Sequence, residues 1–164
     1  MTTWWGGRIR QFRRYVSGGV SAGERRDLVA WLTPAQLSLF DGMHRADQRH
    51  GLDVVAALRA EGHADPDLLL AGLFHDAAKG PTVGLRPRVL WALADRYGDW
   101  IARSTRRLPG FAGAYARLRD HAGMSAELAL RAGCSPVTAE LIRHQAQPVD
   151  HAAGEALRLA DEAN

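Results

Sequence analysis

Apolar positions recur at helical spacing along nearly the whole chain, and no stretch alternates as a strand does. Capping signals cut this pattern into segments. Ser21 opens a helix over 21–31, and Thr33-Pro34 combines an N-cap with proline at the first helical position, predicting a helix to about residue 40. Asp47 opens a stronger segment that runs through Glu61 and stops at Gly62. Asp65-Pro66 repeats the cap-plus-proline start. The apolar run after it predicts a helix to Ala78 or Lys79, ended by Gly80-Pro81. Residues 81–118 are weaker in pattern, with helices near 88–97 and 100–106 and another from Phe111. A helix through His121 ends at Ala132-Gly133. Ser135-Pro136 begins the next, which carries His144 and stops before Pro148, and a last helix covers about 152–163. The expectation is an all-α, single-domain helical bundle of about seven to nine helices. Residues 1–44 form an N-terminal helical extension to a main unit over 45–164, which holds a helical insertion around 81–118.

Composition narrows the class. The chain has 164 residues, 46% apolar and 24% charged, which excludes a wholly disordered chain, a collagen-like chain and a transmembrane bundle. A single cysteine, Cys134, excludes an internal disulfide framework and any multi-cysteine zinc site. It fits a reducing compartment, and with no apolar secretion leader at the start a cytoplasmic location is expected. The net charge of +3 permits an anionic substrate and gives no reason to expect nucleic acid as a partner. Of the 21 basic residues 20 are arginine, so Lys79, the one lysine, marks a position of interest. Residues 4–16 interleave arginines with aromatic and aliphatic residues. Peripheral contact with an anionic membrane surface is one reading, and docking of the aromatic side on the domain is the favoured one.

The candidate chemistry lies in the histidines. Of seven, His44, His63 and His151 fall in expected loops or helix edges. The other four share apolar faces: His50 with Val54, Ala57 and Leu58; His75 after the run at 68–74; His121 with Met124, Ser125 and Leu128; His144 with Leu141 and Val137. Asp76 follows His75, and Asp161 lies four residues after Leu157. A single histidine on such a face is an ordinary core residue. Buried carboxylates, however, need a partner, a proton or a metal. Four imidazoles and two carboxylates aimed inward from separate helices point to metal coordination, and six ligands suit two ions bridged by a carboxylate. Lys79 is four residues from His75 and three from Asp76, where an ammonium can meet a phosphate oxygen.

The ordered set His50, His75-Asp76, Lys79, His121, His144 and Asp161 resembles the H…HD…H…H…D signature of the HD-domain metal-dependent phosphohydrolases. The stretch at 67–80 is similar to that superfamily's central helix, with Lys79 in its HD-x-x-K position. The segments at 121–133, 140–145 and 157–164 are similar to the second half of the six-ligand subgroup, which includes the HD-GYP phosphodiesterases. The glycine-tyrosine-proline segment is missing, because Gln145 follows His144. The resemblance implies two divalent transition-metal ions, from among Fe, Mn, Ni, Co and Zn. One would be held by His50, His75, Asp76 and Asp161, the other by Asp76 with His121 and His144. It also implies hydrolysis of a phosphate ester on a small molecule such as a nucleotide, with Asp76 and Lys79 in catalytic roles. Two alternatives stand beside it: a mixed-valent di-iron oxygenase on the same scaffold, and a non-catalytic regulatory domain. Arg103, Arg106 and Arg107 in the insertion are candidate phosphate contacts, against the favoured reading of a solvated face.

Overall fold

The computed structural model describes residues 19–80, 83, 85–150 and 152–164; the basic segment at 4–16 and His151 lie outside them. Among the described residues the chain is all-α, without strands. The helices are α1 (Ala22–Trp31), α2 (Pro34–Gly42), α3 (Arg45–Ala60), α4 (Pro66–Phe74), α5 (Leu85–Tyr97), α6 (Trp100–Thr105), α7 (Phe111–Arg131), α8 (Pro136–Arg143) and α9 (Ala153–Ala163), with a 3-10 turn at Ala77–Lys79. None of these helices is long and apolar enough to cross a membrane.

The local starts follow from capping chemistry. Ser21 and Glu24 form a reciprocal capping box on α1, as Thr33 and Gln36 do on α2. Asp65 and Ser135 accept backbone N–H groups at the starts of α4 and α8, each with proline in the first turn. The start of α3 departs from the expectation. Its cap is His44, whose Nδ1 accepts the Ala46 N–H, and Asp47 instead turns inward from the first turn.

Helices α3, α4, α7, α8 and α9 enclose one apolar core containing Val54, Leu58, Leu73, Phe74, Ala126, Ile142 and Leu157. Leu28, Leu32, Phe40 and Met43 from the first two helices join the same core. A smaller cluster of Val83, Tyr115 and Leu118, with Trp91 and Phe111 against it, ties α5 and α6 to the first half of α7. A buried ion pair links the two regions. Arg88 of α5 donates to both carboxylate oxygens of Asp47 at 2.5 and 2.8 Å, and also to the carbonyls of Val83 and Gly80.

The crossing of α3 over α4 depends on Gly51. A Cβ at this position would lie 2.5 Å from the carbonyl oxygen of Leu73, so only glycine permits the two backbones to meet this closely. His50, beside it, is thereby brought against the end of α4.

Candidate metal centre

Helix α4 ends at Phe74, four or five residues before its expected end. The cause is a tertiary hydrogen bond. The Ala78 N–H donates to the buried Ser125 hydroxyl of α7 at 3.0 Å instead of continuing the α4 ladder. The chain therefore tightens into a 3-10 turn, with Asp76 as its N-cap and the Lys79 N–H bonded to the Asp76 carbonyl. Side chains three apart eclipse in a 3-10 turn, and the Lys79 ammonium indeed donates to Asp76 Oδ2 at 2.5 Å. The lysine and aspartate lie together across a turn and not along a helix face.

His75 and Asp76 are almost fully buried, at 1% and 3% exposure. His75 donates its Nδ1 proton to the Gly72 carbonyl at 2.9 Å, which turns Nε2 toward the cavity. That Nε2 is buried and has no hydrogen-bond partner. It stands 3.6 Å from Asp76 Oδ2 and 3.5 Å from Asp161 Oδ1. Asp161, half-exposed at the end of α9, accepts from His50 Nε2 at 2.8 Å. The His50 and His75 rings meet edge to face with centroids 5.0 Å apart. On the other side, His121 of α7 donates Nδ1–H to the Leu118 carbonyl at 2.6 Å and presents Nε2 to Asp76 Oδ1 at 3.4 Å.

Electrostatics around this group call for a cation. Burial would raise Asp76, but the Lys79 ammonium and then His75 hold its carboxyl well below the usual range. Burial would likewise raise Asp161, and His75 and His50 hold it low. Burial would keep His75 neutral; Asp76 and Asp161 overcome it and push its pKa up to about 9. His121, by contrast, is lowered by burial against the pull of Asp76. A ring proton on His75 Nε2 and a metal ion there answer the same demand for positive charge.

The donor set fits a transition-metal ion. His50, His75 and Asp76 offer ligand atoms that all lie within 4.8 Å of one another. Atoms bound at ~2.0–2.2 Å to a shared tetrahedral ion stand roughly 3.3–3.6 Å apart, and the separations of His75 Nε2 from the two carboxylates fall in that range. Imidazole nitrogens whose second N–H is fixed by a carbonyl, as in His75, are the usual metal-ligand arrangement.

The structure does not bring His144 into this group. It is the C-cap of α8, its side chain is 42% exposed, and its Nε2 faces Glu140 at 3.2 Å. The next residue, Gln145, is the one buried. Its amide nitrogen lies 3.4 Å from both the His75 carbonyl and His121 Nε2, so its two hydrogens can serve both acceptors. Arg103, Arg106 and Arg107 are exposed on α6 and the turn after it. Sequence spacing gave no sign of Gln145. Ser125 was visible as a polar residue on the core-facing stripe one turn after His121.

No known protein family matches the chain, and no solved structure matches it. A 51-residue segment is 37% identical to part of a DNA primase of Streptomyces coelicolor, over 31% of this chain. The chain spans 8% of that primase's length, too little to carry a fold or an activity across.

Proposed function

We propose that the chain is a metal-dependent phosphohydrolase that binds one divalent transition-metal ion through His50, His75, Asp76 and Asp161 and acts on a small phosphate ester. The observation that carries the metal is the buried Nε2 of His75, which has no hydrogen-bond partner, its ring oriented by the Gly72 carbonyl and set between the carboxylates of Asp76 and Asp161. The hydrolytic reading rests in addition on the resemblance to the HD phosphohydrolases; the pairing of the Lys79 ammonium with Asp76, which keeps a cation beside the group, supports it.

When bound, the ion supplies a Lewis acid that polarises a phosphoryl oxygen and lowers the pKa of a coordinated water. The protein's own groups do the remaining work. His50 and Asp161 fix each other, and Gly72 fixes His75. Lys79, 24% exposed in its side chain, reaches solvent from its pair with Asp76 and can donate to a phosphate oxygen as charge develops. Gln145 and the Leu118 carbonyl hold the His121 ring toward Asp76. A second ion, and with it the di-iron oxygenase, draws less support, because His144 faces Glu140 and the Gln145 amide lies against His121.

The test is metal content by elemental analysis after loading with Mn²⁺, Fe²⁺, Co²⁺, Ni²⁺ or Zn²⁺, followed by turnover of a panel of phosphomonoesters. One equivalent per chain is expected, lost in His75→Ala and Asp161→Ala, with loaded wild type turning over at least one ester. Two equivalents would overturn the single-ion assignment. An inactive chain holding one ion would overturn the hydrolase assignment and leave the metal site standing.

A further inference from the structure

We infer that Arg117 reads a second anionic group of the substrate, so that the compound hydrolysed is an organic diphosphate or a comparable doubly anionic ester. The word substrate rests on the hydrolase reading; the anion site itself does not.

Arg117 lies four residues, just over one turn, before His121 on α7, about 6 Å along the axis. At ~100° per residue, His121 and Ser125 stand on the flank facing Asp76 and Ala78, while Met124 and Leu128 stand on the other. Arg117 falls on the Met124–Leu128 flank, about 40° around the helix from His121. Its guanidinium rests over Gly80, the residue after Lys79. A Cβ on Gly80 would come within 2.9 Å of Arg117 Nη1, and the φ of +74° there also favours glycine. The bare backbone is thus the seat of the guanidinium.

Among the described residues the charge of Arg117 is uncommitted. Among the described residues its neighbours Arg88 and Arg119 are paired with Asp47 and Asp120, but Arg117 has no carboxylate partner. Lys79, the other cation beside the centre, is already bound to Asp76. A phosphate that arrives here meets Arg117 as the group with donors to spare, in a fork that suits two phosphate oxygens.

There is also room for the rest of such a molecule. Between α2 and α7 lies a groove of about 530 Å³, floored by Ala77, Ala78 and Gly80, with Arg117 on its wall. Leu39, Met124 and Leu128 make its sides apolar, and Arg131 adds a second cation further along α7. The acid on the wall, Glu127, is engaged by Arg143 at 3.4 Å. The groove therefore combines apolar contact area with net positive charge, which matches an organic body bearing phosphate.

The experiment is calorimetric titration of the Mn²⁺-loaded full chain with methylenediphosphonate and, separately, with orthophosphate. Wild type should bind the diphosphonate more tightly than orthophosphate. Arg117→Ala should lose on the order of tenfold or more of that preference, as expected for a charge-assisted contact, with orthophosphate affinity and metal content unchanged. Gly80→Ala should move in the same direction, since its methyl displaces the guanidinium, and its melting temperature separates displacement from misfolding. Undiminished diphosphonate binding in Arg117→Ala, or no binding of either anion to wild type, would overturn the inference. Arg117-dependent diphosphonate binding by a chain that hydrolyses no ester would uphold the anion site and overturn only the hydrolase reading.

Discussion

The Arg88–Asp47 pair offers a sharp test of how the insertion is fastened to the metal-binding helices. Asp47 is 4% exposed and receives two hydrogen bonds from one guanidinium. Arg88→Met removes both and leaves a buried carboxylate in low dielectric. Breaking such a pair from one side costs roughly 3–5 kcal/mol. Asp47 lies in the first turn of α3, where the helix dipole favours negative charge, so the lower end applies, about 3 kcal/mol. For a domain of this size, each kcal/mol lowers the melting temperature by ~2–4 °C, which predicts a fall of about 6–12 °C by differential scanning calorimetry. Arg88→Met combined with Asp47→Asn removes the stranded charge and should recover more than half of that fall. Arg88 also holds the Gly80 and Val83 carbonyls. The single variant should therefore speed hydrogen exchange around residue 80, next to Lys79. A melting temperature within about 2 °C of wild type would show that the pair is not the fastening described.

Four further outcomes follow from particular contacts. Gly51→Ala places a methyl 2.5 Å from the Leu73 carbonyl, so α3 and α4 must separate at a cost of ~1–3 kcal/mol; metal affinity should fall with it, measured by competition with a chelating dye. Ser125→Ala leaves the buried Ala78 N–H without its acceptor and should cost ~1–3 kcal/mol in denaturant unfolding. Lys79→Met should keep its metal and lose turnover by ~10²–10³, the scale of one transition-state donor; near-normal turnover would reduce Lys79 to a counter-charge for Asp76. Glu24, hydrogen-bonded by Arg49 and the Ser21 N–H, has its pKa lowered from 4.5 to about 2. Its contribution is present above the unfolded value and lost as pH falls toward 2, so the stability gap between wild type and Glu24→Gln should narrow between pH 5 and 3 in thermal melts.

The all-α class, and where most helices begin, were legible in the sequence because these are local matters. Ser21, Thr33, Asp65 and Ser135 cap the next turn of their own chain, and proline at the first helical position needs no distant partner. The polar residues worth watching were legible too, since a histidine or aspartate on an apolar face stands out from its neighbours in any fold. Tertiary structure decided what local pattern does not encode. Residues 66–79 read as one helix because nothing before Gly80 breaks it; Ser125, 47 residues from Ala78, takes the N–H that the helix would have used. His144 and Gln145 are neighbours at a helix end, and which of them turns inward depends on the orientation of α8 against α4 and α7, not on periodicity. Gly51 lies inside α3, and only the tertiary structure makes it the point where two backbones meet. Chain-local hydrogen bonds and capping are read within a few residues, whereas the electrostatics of His75 between Asp76 and Asp161 exist only once helices distant in sequence have closed around them.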